Sequence, residues 1–331
     1  MTFKYNQVFV EDAATIAGPY EAKGPLKKYF DQTFDNLYHG EKSWETAEAK
    51  ILEDSIRALL KKTKKTKEDI DVIISGDLMN QITSSCYSSE KFNFPFLGIY
   101  TACATSVEGM ILGSSLIDGG KVNRAIASTS SHNMSSEKQF RNPTEYGAPK
   151  PKTATFTATG GASILLTNEN TGIKVESSTI GRIVDYEQND PFNMGAVMAP
   201  AAADTIHRHL MDLNRTPDYY DLILTGDLGT YGKEILIDFM KTEYGLDISR
   251  NYNDCGTMLY DLEKQKEVQA GGSGPVCSAL VNYSVVLELL KKKKIKKVLL
   301  VATGALFSPT FVYQHENILS IAHAISLEVI K

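Results

Sequence analysis

One octapeptide occurs twice in this chain. Asp71-Val72-Ile73-Ile74-Ser75-Gly76-Asp77-Leu78 returns as Asp221-Leu222-Ile223-Leu224-Thr225-Gly226-Asp227-Leu228, with Asp, Ile, Gly, Asp and Leu unchanged and the other positions conservative. Each copy is a β-branched and aliphatic run ending in Gly-Asp, which predicts a buried strand entering a tight loop. An internal repeat of this kind predicts one structural unit used twice. The division falls near residue 175, giving units 1–175 and 176–331.

Other features repeat with it. Before the first copy, Ser43 to Lys65 carries Ala47, Ile51, Leu52, Ile56, Leu59 and Leu60 on one stripe, the pattern of an amphipathic helix. Lysines gather at its C-terminal end, where the helix dipole favours cations. After each copy, a loop with a cysteine opens an apolar helix, at Ala102-Cys103-Ala104 and at Pro275-Val276-Cys277. Each unit then has a further strand, Arg124 to Ser130 and Lys297 to Thr303. Strands alternating with helices predict a mostly parallel sheet covered on both faces. Two such units packed together give an α/β fold of five layers, α-β-α-β-α. Sites in such folds lie beyond the carboxyl ends of the strands. The loops after Ser75, Ser130, Thr225 and Thr303 are therefore expected to converge on one cleft.

Composition narrows the function classes. The 331 residues are 42% hydrophobic and 23% charged, as in soluble globular proteins. A net charge of -5 argues against a nucleic-acid binder with a broad basic face. Met1 to Ala14 has no apolar core of the kind a signal peptide carries. No stretch approaches the roughly 20 apolar residues of a membrane span. The four scattered cysteines read as reduced thiols of a cytosol-like compartment.

The candidate chemistry starts at Cys103. A thiol at a helix N-terminus faces a partial positive charge, which favours thiolate; a small buried cysteine is the bland alternative. His132 follows a strand in Ser130-Ser131-His132-Asn133, where either a site histidine or a satisfied core histidine fits. His207 and His209 lie two apart on a helix, which is the wrong spacing for a metal pair. Gly271-Gly272-Ser273-Gly274-Pro275 lacks the Lys-Ser/Thr of a phosphate loop, yet its amides face the expected cleft and suit an anion. Arg141, Lys150 and Lys152 sit in an irregular stretch from Gln139 to Lys152, suited to a carboxylate-bearing ligand. Two lysine runs, Lys61 to Lys67 and Lys291 to Lys297, read as solvated helix ends or as patches attracted to anionic lipid.

Taken together, Thr101-Ala102-Cys103-Ala104, the paired halves and the glycine-rich Thr159-Gly160-Gly161-Ala162-Ser163-Ile164-Leu165-Leu166 resemble the thiolase-like superfamily. More closely, Gly98-Ile99-Tyr100-Thr101-Ala102-Cys103-Ala104-Thr105-Ser106, Pro143-Thr144-Glu145-Tyr146-Gly147-Ala148 and Met198-Ala199-Pro200-Ala201-Ala202-Ala203-Asp204 resemble a sporulation family of spore-forming Firmicutes within it. In condensing enzymes of the superfamily the cysteine is joined by a His on one second-half loop and a His or Asn on a later one. Here those loops read Thr225-Gly226-Asp227-Leu228-Gly229 and Gly271-Gly272-Ser273-Gly274, with neither. Losing the donors that stabilise an enolate costs several kcal/mol of barrier.

The resemblance therefore implies a non-catalytic scaffold that binds dipicolinic acid (pyridine-2,6-dicarboxylate), free or as its calcium chelate. Its expected site is Cys103, His132, Arg141 and Asp227 with the amides around Gly272 and Gly304. No cofactor and no resident metal are expected; calcium enters only with the ligand. The resemblance further implies a homodimer held peripherally at the spore inner membrane, on its cytoplasmic side, by other stage V sporulation A membrane proteins. An active acyltransferase using Cys103 and His132 is the competing expectation.

Overall fold

The structure, a computed structural model, describes residues 1–140 and 150–330. Its first unit runs β1 (Phe9–Ala17), α1 (Trp44–Thr63), β2 (Val72–Gly76), α2 (Thr83–Glu90), β3 (Phe96–Gly98), α3 (Thr105–Asp118), β4 (Arg124–Ser131), α4 (Asn133–Phe140) and β5 (Gly160–Thr167). The second opens with β6 (Ile173–Thr179) and α5 (Met194–Asp212), then β7 (Leu222–Thr225), α6 (Gly229–Tyr244), β8 (Tyr252–Asp254) and α7 (Cys255–Leu259). It closes with α8 (Pro275–Val281), β9 (Lys297–Ala305) and β10 (Ser320–Val329).

Both repeats of the octapeptide form strands, β2 and β7, and the surrounding topology repeats as well. The strand order is β3-β2-β4-β5-β1 followed by β6-β10-β9-β7-β8, one order and its mirror. Counted inward from the outer edge of each unit, β3 or β8, the first two pairings are parallel and the last two antiparallel. The two sheets join edge to edge where β1 meets β6 at Phe9 and Lys174, with the Val175 amide donating to Val8 O at 2.9 Å beside them.

Layering follows from which face of each strand is apolar. On the outer face of the first sheet, Leu52, Ile56 and Leu59 of α1 cover Ile73, Ile126 and Leu165. On the outer face of the second, Ile206 of α5 with Leu236 and Met240 of α6 cover Ile223, Leu299 and Val301. Between the sheets lie α3 and α8, whose Val107, Met110, Val276 and Leu280 meet Ile74, Ala127, Leu224 and Leu300. Neighbouring residues of one strand, such as Ile73 and Ile74, thus feed different cores, which is why the strands read as unbroken apolar runs. Five layers result, α-β-α-β-α, as the repeat predicts.

Helix ends obey local chemistry. Ser43 caps α1 by accepting from the Thr46 amide at 3.2 Å, which satisfies an otherwise orphaned donor. The stretch between Asp227 and Cys277 is longer than its counterpart between Asp77 and Cys103, because α6 and α7 occupy it where the first unit has only α2. No helix of the described residues is long and apolar enough to cross a membrane.

Candidate functional site

Cys103 sits on a 3-10 turn, Ala102–Ala104, at the entry to α3. Ala102 adopts φ +51, a left-handed conformation that costs a residue with a side chain about 1 kcal/mol. Its neighbours hold it there: the Ala104 amide donates to Thr101 O at 3.0 Å and Thr105 Oγ1 donates to Ala102 O at 2.7 Å. Gly304 of β9 makes the turn possible, because a Cβ there would lie 2.3 Å from the Thr101 carbonyl oxygen. The half-buried Cys103 thiol is thereby presented 4.0 Å from Ser273 Oγ.

Asp227 lies alongside, fully buried. Its Oδ1 accepts from Thr303 Oγ1 at 2.7 Å, and its Oδ2 from the Gly274 amide at 3.1 Å and Ser273 Oγ at 3.3 Å. The Cys103 thiol is its neighbour through Ser273, whose Oγ both approach. Burial raises the carboxyl to a pKa of about 6. Burial and the Asp227 charge push the Cys103 thiol well above its ordinary value. The helix N-terminus therefore does not deliver the thiolate expected from it: desolvation and a facing carboxylate outweigh the dipole.

Cys103, Ser273 and Thr157 floor a narrow pocket with about 540 Å³ of empty space, open mouth included. Ser273 and Thr157 come together because Gly272–Ser273 and Phe156–Thr157 form a two-stranded parallel ladder between the units. Leu78, from the loop after β2, and Tyr100, after β3, line the pocket; Phe140 comes from α4, Met194 and Met198 from α5, and Ala305 and Phe307 from the end of β9 and beyond. The loops after β2, β4 and β9 thus meet at one cleft, with Asp227 after β7 beneath it. Glu137 is the only charged side chain among the described lining residues, and Lys150 Nζ pairs with it at 2.8 Å.

The model of the family described as "Stage V sporulation protein AD (SpoVAD)" matches residues 1–328. The chain belongs to the SpoVAD family. Stage V sporulation protein AD of Bacillus subtilis (strain 168) is 47% identical over 321 residues, spanning 97% of this chain and 94% of that one. Among solved structures, an OleA variant of Xanthomonas campestris matches with a TM-score of 0.64 at 11% identity, over 98% of this chain and 99% of that one. The 3-oxoacyl-[acyl-carrier-protein] synthase III of Aquifex aeolicus VF5 matches at 0.59 and 10%, over 97% and 99%. These likenesses confirm the thiolase-like fold.

In this SpoVAD-family chain, Asp227 and Ser273 lie on the two loops where the superfamily resemblance implies a His and a His or Asn. His132 is elsewhere. Its Nε2 donates to Leu37 O at 2.8 Å, its Nδ1 accepts from the Met134 amide at 3.2 Å, and burial lowers its pKa. It is fully buried and absent from the pocket lining, so the structure does not bring it to Cys103. Gly272 and Gly304 are close-packing positions: a Cβ on Gly272 would meet Cys277 Sγ at 2.8 Å. Arg141 falls outside the described residues. Ser273 was visible in the sequence only as part of a glycine run. Met198 appeared only within a stretch that carries the resemblance and Phe307 carried no signal, since an apolar pocket wall and a core residue look alike in a sequence.

Proposed function

We propose that this chain is a non-catalytic binding subunit that holds dipicolinic acid for uptake into the developing spore and release at germination. The observation that carries the reading is Asp227 against the Cys103 thiol. Burial and the facing carboxylate keep the sulfur protonated, and the carboxylate offers no imidazole to move a proton, while the pocket above it stays open. An apolar slot walled by Tyr100, Met198 and Phe307 suits a flat aromatic ring.

Charge supports the calcium chelate as the bound form. Asp227 and Glu137 would repel a bare dicarboxylate, whereas calcium neutralises the ligand before it enters. Lys150 beside Glu137, and Arg141, which follows pocket-lining Phe140 in sequence, serve as carboxylate partners in this reading. The same reading makes the chain a peripheral subunit of the spore inner membrane, beside other stage V sporulation A membrane proteins. A homodimer is supported by the outer edge of β3, unpaired among the described residues, where Phe96 and Leu97 are exposed; an apolar unpaired strand edge invites pairing. Calorimetric titration with dipicolinic acid, with and without calcium, tests the ligand. Saturable binding that strengthens with calcium is expected, and absence of heat at millimolar ligand overturns the reading.

A further inference from the structure

The two lysine runs, distant in sequence, meet in space. Lys62 Nζ lies 3.5 Å and Lys291 Nζ 2.6 Å from the same oxygen, Asp12 Oδ1. The end of α1 and the end of the helix Leu287–Lys291 therefore flank the start of β1. A third basic stretch joins them: Tyr29 borders the same hollow as Lys62 and Lys291, and Lys28 Nζ stands 5.0 Å over the Tyr29 ring. Lys65 Nζ lies 3.5 Å from Glu11, and Lys293 borders a hollow with Glu11 on its wall.

This front carries surplus positive charge. Glu11, Asp12, Asp31 and Glu288 pair with lysines here. Lys27, Lys28, Lys61, Lys64, Lys293 and Lys294 are exposed and make no ion pair among the described residues. The front lies at the opposite end of the strands from the pocket. β9 starts beside it at Lys297 and ends at pocket-lining Ala305, a span of roughly 26 Å at about 3.3 Å per residue.

We propose that this face docks directly on an anionic lipid bilayer, leaving the pocket mouth turned away from the membrane. Three chain segments contribute flexible lysine tips to a broad front, which a charged plane satisfies without fixed geometry. An acidic peptide fits less well, because the hollow between the runs holds Asp12 and Glu288, which would repel it. The proposal names the contact surface for the peripheral placement above and does not depend on the ligand, whose titration contains no lipid.

The test is flotation of the full chain with vesicles of phosphatidylcholine alone or mixed with phosphatidylglycerol. Binding at least about tenfold stronger on the anionic vesicles is expected, and its loss at about 0.5 M salt. The triple variant K61E/K293E/K294E loses that binding, while the charge-matched K42E/K152E/K241E keeps it. Equal binding of wild type to both vesicles, or to neither, overturns the proposal whatever the variants do; binding to neither assigns the face to a protein partner. Equal loss in both triple variants overturns it too, since net charge alone would then explain the binding.

Discussion

Asp77 and Asp227 close the two copies of one strand motif, yet their carboxylates hold different partners. Asp77 accepts from the Met79 amide at 2.9 Å and the Ser85 amide at 2.7 Å, tying down the loop and helix that follow β2. In the second unit Asp254 does that work, accepting from the Leu228 and Gly229 amides at 2.9 and 3.0 Å. Asp227 is thereby released to face Cys103, Ser273 and Thr303. A residue whose counterpart is structural has become part of the site.

That relationship makes Asp227 the control on sulfur reactivity. Asp227→Asn removes the charge that disfavours the thiolate, so Cys103 is expected to alkylate at least about tenfold faster with iodoacetamide near pH 8. Mass spectrometry of the Cys103 peptide reads the rate. An unchanged rate would mean that burial alone sets the thiol, and that the carboxylate is not what silences it.

Acyl transfer is expected to be absent. Incubation with a panel of acyl-CoA donors should leave the mass of the chain unchanged. A shift that maps to Cys103 and disappears in Cys103→Ala would restore the acyltransferase reading.

His132 and Gly304 separate structural roles from site roles. His132→Ala strips partners from the Leu37 carbonyl and the Met134 amide, and each unsatisfied group costs about 1–3 kcal/mol. Unfolding by urea should show that loss while ligand affinity in the folded variant stays within about twofold, since no contact to the pocket is removed. Gly304→Ala drives a methyl into the Thr101 carbonyl and should cost about 1–3 kcal/mol. Unlike His132→Ala it should also weaken ligand binding, because the Cys103 turn must move.

Stability is expected to fall as pH rises above neutrality. Burial and neighbouring Asp77 push Glu48 up to about 8, and burial pushes Glu21 up to about 7, from ordinary values of 4.5. The folded chain thus holds protons that the unfolded chain releases. The resulting stability is full below about 4.5 and is lost as pH climbs through 7 and 8. Each such proton is worth about 1.4 kcal/mol per pH unit. Buried His209 and His323, lowered to about 3 and 4, act oppositely and cost stability below their ordinary 6.5. Urea unfolding at pH 7, 7.5 and 8, above the histidines' range and below the ordinary range of the thiols, which burial also raises, therefore isolates the carboxyls, and Glu48→Gln should flatten the slope.

What the sequence made legible was local and repeated. The octapeptide placed β2 and β7, the apolar stripe placed α1, and Thr101-Ala102-Cys103 placed the turn, since short-range sterics and burial decide each. Asp227 was expected in the site through the resemblance alone; its place against Cys103 was hidden because it depends on Asp254 capping α6, a substitution of partners across 27 residues. His132 stands at a strand end, where site residues gather, but its ring turns to a carbonyl at Leu37, a contact no local pattern announces. The thiolate expectation failed for the same reason: the dipole is written in the helix, while the opposing carboxylate comes from the other unit.

The most direct test is a crystal structure of the chain soaked with dipicolinic acid and calcium. The account predicts ring density between Tyr100, Met198 and Phe307, with Cys103 in unmodified contact below it. Density elsewhere, or a pocket that stays empty at saturating ligand, would contradict it.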